Sequence, residues 1–264
     1  MNLAAVRFNR SISLRRLAGL TLVELVLVLA VLAAVAGLVS ASMPGMTRRS
    51  ALATGAAGAT QIARAMLSFR TAKGQYPDGY DSLLEGPYRL LKALPKGSYH
   101  QLKPKDLDNA DRPFLRRAGI KTSWRHDTNG PTGVTFRPLT TIKAFDALAG
   151  STISDDVAAL DPNKIDVDSM FGPGTRKGTS NEIFVVYGIG RQCSLVGPDG
   201  AILEAPITFG GTAGTNPDEV YQRYGVIFRL DRDDTQPLRF LGAIVFDEDG
   251  IKTPTVELAT FFHQ

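Results

Sequence analysis

A run of twenty residues from Leu20 to Val39, L-T-L-V-E-L-V-L-V-L-A-V-L-A-A-V-A-G-L-V, holds a single ionisable group, Glu24. At about 1.5 Å of rise per residue, a helix of that length matches the roughly 30 Å hydrocarbon core of a bilayer. It is therefore long enough to be a membrane helix. The nineteen residues before it carry Arg7, Arg10, Arg15 and Arg16 and no acid, the pattern of a leader that holds the N-terminus on the cytoplasmic side. Those four arginines account for the whole excess of 30 Lys+Arg over 26 Asp+Glu. The rest of the chain is balanced and gives no electrostatic reason to bind nucleic acid. Cys193 is the sole cysteine, so no intramolecular disulfide or cysteine-based zinc site can form.

Ser40, Ser42 and the Pro44-Gly45 pair follow the apolar run and predict a bend or loosening there. From Thr47 to Lys73 the helical pattern resumes, with Leu52, Ala56, Ala59, Ile62, Met66 and Phe69 on one face. Gly55, Ala57 and Gly58 weaken its propensity, so packing against a sheet is expected to hold it. Gly74-Gln75-Tyr76-Pro77 should end the helix. Residues 74–150 read as an irregular αβ region, with Leu83-Leu84 and Leu90-Leu91 in brief helical turns. Residues 151–180, rich in Asp, Gly, Pro, Ser and Thr, read as a loop or insertion. Residues 181–264 read as an antiparallel sheet, with strands at 182–189, 224–230, 238–246 and 255–262 and a hairpin turn at Asp247-Glu-Asp-Gly250.

The junction of leader and apolar run reads Gly19-Leu20-Thr21-Leu22-Val23-Glu24. Here the chain resembles the class III signal of type IV pilins and type II secretion pseudopilins. The resemblance implies cleavage after Gly19 by a prepilin peptidase, N-methylation of Leu20, and assembly guided by Glu24 within the Thr21-to-Glu24 run. It implies a filament of pseudopilin subunits, an inner-membrane precursor with a periplasmic globular part, and no enzymatic activity. The fold expected is α+β and type IV pilin-like: a long N-terminal helix, its first half (20–43) membrane-spanning and its second (44–73) amphipathic, packed on a C-terminal antiparallel sheet. Physically, a carboxylate within an apolar span costs several kcal/mol and invites a partner. In a filament, the N-terminal amine of an adjacent subunit supplies one. Lys73-Gly-Gln-Tyr-Pro-Asp-Gly-Tyr80, after an amphipathic helix, is a weaker likeness to major pseudopilins and, with the missing cysteine pair, tilts toward the secretion branch. The chain is longer than a compact major subunit needs, which leaves its rank open.

Two alternatives stand beside this reading. One is a minor pilin of a type IV pilus or competence system. The other is a periplasmic enzyme or binding protein with an ordinary signal or anchor; Ala34-Val35-Ala36 before Gly37 suits ordinary signal peptidase, whereas Glu24 does not suit such a signal. His100, His126 and His263 lack ligand spacing, and Gly188-Ile-Gly190 lacks the third glycine of a dinucleotide loop. Calcium is the candidate cofactor, at Asp231, Asp233 and Asp234 in an inter-strand turn. Oxygen ligands from a loop suit that ion, and the likeness to major pseudopilins adds to the case. A solvated turn is the competing reading, with Asp247, Glu248 and Asp249 a second such cluster.

Overall fold

The computed structural model describes residues 22–86, 88–126, 142–145, 156–208 and 220–262. In chain order the elements are α1 (Leu22–Lys73), β1 (Tyr80–Asp81), β2 (Leu84–Gly86), β3 (Arg89–Leu90), α2 (Lys96–Gln101), β4 (Leu102–Asp106), α3 (Arg112–Arg117) and β5 (Ser123–His126). There follow β6 (Ile142–Phe145), β7 (Asp156–Leu160), α4 (Val167–Phe171), β8 (Glu182–Gly188), β9 (Gly225–Asp231), β10 (Leu238–Asp247), β11 (Gly250–Lys252) and α5 (Pro254–Phe262). The chain divides into two compact units, Met1–Pro44 and Gly45–Gln264.

In the second unit, nine strands form a curled, largely antiparallel sheet in the order β11-β10-β9-β8-β1-β5-β6, with β4 joined to it through β7. The sheet forks along one edge of β8. Ala158 and Ala159 of β7 pair with Val186 and Val185, while Asp81 of β1 pairs with Gly188. Among the described strands, only β1 and β5 pair in parallel. β4 pairs only with β7 among the described residues, and its Lys103-Pro104-Lys105 core discourages further strand addition.

The unbroken apolar run I-F-V-V-Y in β8 is explained by burial on both faces. Ile183, Val185 and Tyr187 join Ala59, Ile62 and Met66 of α1, together with Tyr76, Tyr80 and Phe228. Phe184 and Val186 face the opposite way, onto Leu83, Leu84, Leu90, Leu91 and Leu94. Tyr80 stacks on Tyr187 at 5.2 Å, and Tyr76 meets Phe228 edge-on at 5.1 Å. The turn after α1 thus drives two aromatic anchors into the core. Gly74 caps the helix at φ +73°, its N–H donating to Arg70 O.

Several expectations need correction. The expected α+β, type IV pilin-like architecture with a membrane-spanning first half of the helix is overturned. The N-terminal helix is present, but among the described residues no helix is long and apolar enough to cross a membrane. Residues 22–37 are the apolar stretch whose side chains are described, and at 1.5 Å per residue they reach roughly 24 Å against the roughly 30 Å of hydrocarbon. Beyond residue 48 the helix carries Arg49, Arg64, Arg70 and Lys73. Nor is the sheet confined to the C-terminal third, since β1, β4, β5 and β7 all enter it.

Leu83-Leu84 and Leu90-Leu91 lie in and beside the small β2–β3 hairpin instead of helical turns, with buried Leu83 held at φ +59°. Residues 151–180 contain β7 and α4. The latter begins at Asp166, whose carboxylate accepts from the N–H groups of Asp168 and Ser169. The segment expected as the last strand, 255–262, is the helix α5. Pro254 suits a first helical turn and not a central strand, and Thr253 Oγ1 accepts from Val256 N at 3.5 Å.

Candidate functional site

The first part of α1, within the unit Met1–Pro44, is apolar apart from Glu24, and its large apolar side chains are exposed among the described residues. Leu22 is 78% exposed and Val23 74%, and Leu25 through Val35 present further large apolar side chains to solvent. A helix apolar all round belongs in a buried environment. Ten such side chains, each about half to three-quarters exposed, release about 9–18 kcal/mol on full burial, comparable with the roughly 4–15 kcal/mol that association costs. Glu24 occupies the first turn, where the positive end of the helix dipole favours a carboxylate. Gly19, Leu20 and Thr21 lie outside the described residues.

Further along α1, two glycines admit the sheet. A Cβ on Gly58 would overlap the Tyr224 hydroxyl and lie 2.5 Å from its Cζ. That hydroxyl donates to Thr54 O at 3.3 Å, fastening the helix backbone to the sheet. Gly55 faces Glu257, Val245 and Thr208.

Two cations reach into the Asp231–Asp234 turn. Arg229, only 3% exposed, pairs with Asp234, with Asp231 at 3.7 Å and with Glu182 at 3.4 Å. Lys177 Nζ reaches Asp234 at 2.9 Å, and Asn181 Nδ2 donates to Asp233 at 3.0 Å. The hydrogen bond from Lys177, followed by that from Gln236 N–H, holds the Asp234 carboxyl well below its usual range. Among the described residues, no group of three or more His, Cys, Asp or Glu is arranged to hold a metal ion. The structure therefore sets Asp231 and Asp234 against Arg229, Asp234 also against Lys177, and Asp233 against Asn181. In the second cluster Asp247 pairs with buried Lys252, and Glu248 accepts from Lys96 N.

Two buried polar groupings escaped the sequence reading. Asp81 is wholly buried; Tyr221 Oη donates to its Oδ2 at 3.0 Å, while Oδ1 has no hydrogen-bond partner among the described residues. Burial raises the Asp81 carboxyl to about 6, against the opposing influence of Arg223 and the Tyr221 bond. Gly188 and Gly190 exist to make room here. A Cβ on Gly188 would come within 2.8 Å of Tyr221 Cζ, and one on Gly190 within 2.5 Å of Asp81 Cγ. The glycine pair is thus the one signal in the sequence, and its meaning is steric. Cys193 is buried beside this group, and burial pushes its thiol far up, away from thiolate chemistry. The second grouping is Glu257 with Thr208 and Tyr224 against Gly55 and Gly58.

No protein-family model, curated protein or solved structure matches the chain.

Proposed function

We propose that this chain is a non-enzymatic structural subunit of a type II secretion pseudopilus, cleaved after Gly19 by prepilin peptidase and assembled with other pseudopilin subunits through its N-terminal helix. The observation that carries the reading is the uncovered apolar surface of α1 from Leu22 to Val35, with Glu24 in its first turn, directly following the Gly19-Leu20-Thr21 sequence. Side-by-side packing of such helices buries surface that water penalises. The N-terminal amine of one copy is the natural counter-charge for the Glu24 carboxylate of the next. In this reading the precursor is held at the inner membrane, with its globular portion in the periplasm, until assembly.

N-terminal sequencing of the protein from cells containing the peptidase tests the processing step. A methylated Leu20 is expected. A start at Gly37 would establish an ordinary secretory signal and remove the helix on which assembly depends.

A further inference from the structure

α5 is anchored in an unusual way. Of its described side chains, Pro254 to Ala259, the one that is buried is a carboxylate: Glu257 is 1% exposed while Leu258 is 44% exposed. An ordinary amphipathic helix would turn its leucine inward. The Glu257 head group lies against the glycine face of α1, with Oε1 3.5 Å from the place of a Gly55 Cβ and Thr208 Oγ1 close by. Its Oε2 has no hydrogen-bond partner among the described residues. An ionised carboxylate is costly in such a place, whereas a carboxylic acid carries no net charge and needs less solvation.

We infer that Glu257 is a proton-operated anchor, which seats the C-terminal helix α5 against α1 and the sheet when protonated and loosens it when ionised. The groups facing it come from each neighbouring element. Lys252 of β11 favours the ion, Asp247 of β10 and Asp249 in the following turn oppose it, and Tyr224 before β9 contributes a neutral phenol. The stretch of α1 against it, Gly55 to Gly58, offers no charged side chain. Burial is the largest influence and lifts the carboxyl from 4.5 to about 7. The folded state therefore holds the proton more tightly than the unfolded chain. Seating is firmest below about pH 4.5 and weakens as pH rises from there to about 7. Loosening α5 withdraws the Glu257 head group from Gly55, so the device couples proton concentration to the cover of that point on the assembly helix's second half.

Hydrogen–deuterium exchange of the full-length chain, with exchange times scaled for the intrinsic pH dependence of amide exchange, reads this directly. In the wild type, protection of the α5 amides should fall at least tenfold between pH 5 and pH 7.5 and change little above that, while β9 and β10 lose less. In Glu257→Gln, α5 should keep its protection across the range. Constant protection in the wild type, a fall that begins only above pH 7, equal loss throughout β9 and β10, or the same fall in Glu257→Gln would each overturn the inference. The wild-type profile decides the matter even if the variant does not fold.

Discussion

Replacing Gly58 with alanine sets helix propensity against helix packing. In an exposed helix interior the change would stabilise by about 1 kcal/mol. At Gly58 the new methyl would overlap the Tyr224 hydroxyl and sit 2.5 Å from Cζ, so either α1 backs away from the sheet or the tyrosine is displaced. Overpacking of that kind costs typically 1–3 kcal/mol. Losing the hydrogen bond from Tyr224 to Thr54 O removes about 1 kcal/mol more. Against the propensity gain, the net is a destabilisation of about 2 kcal/mol, or a melting temperature lower by about 4–8 °C for a unit of this size. Thermal unfolding of the full-length chain followed by circular dichroism measures it, with Gly37→Ala as the control, since a Cβ there meets nothing within 4 Å. In a Tyr224→Phe background the penalty should shrink, because the first atom struck is gone. An unchanged or raised melting temperature for Gly58→Ala would refute the claim that close approach of the sheet is why glycine stands there.

Three further outcomes follow from the buried charges. Arg229→Ala should cost about 3–5 kcal/mol in urea unfolding, because Glu182 and Asp231 are left buried without their cation. Wild-type stability should fall as pH rises from 3.8 to about 6, since folded Asp81 holds its proton more tightly than the unfolded chain does; Asp81→Asn should remove up to about 3 kcal/mol of that decline in unfolding measured at pH 4 and pH 7. Millimolar calcium should leave the melting temperature unchanged, because Arg229 and Lys177 already occupy the Asp231–Asp234 turn; a rise that grows with calcium concentration would show a site there.

What the sequence made legible was set by periodicity. The face Leu52, Ala56, Ala59, Ile62, Met66 is buried as its spacing requires, and Phe69 packs against the same core. β8, β9 and β10 lie where runs of β-branched and aromatic residues announced them. Short elements defeated the same reasoning. β1 is two residues long, and its place beside β8 depends on pairings from distant parts of the chain. α5 is rich in residues that favour strands, and its identity rests on the Thr253-Pro254 start more than on composition. Clusters of acids were visible, but their partners were not. Arg229 sits inside an apolar strand, and only the folded chain brings Glu182 to it and Lys177 to Asp234. Asp81 and Glu257 gave no sign of burial, since nothing local distinguishes a carboxylate that folding will cover from one that stays wet.

The proposed assembly role is tested most directly by recovering sheared filaments from cells that also make wild-type pseudopilins and asking whether this chain is in them. The wild-type chain should appear there. Glu24→Ala should be cleaved as efficiently, because Gly19 and the apolar run are untouched, yet be depleted from the filament fraction by an order of magnitude or more when it is the only copy of this chain. Absence of the wild-type chain from filaments that do form, or incorporation of Glu24→Ala at the wild-type level, would contradict assembly through the N-terminal helix and its carboxylate.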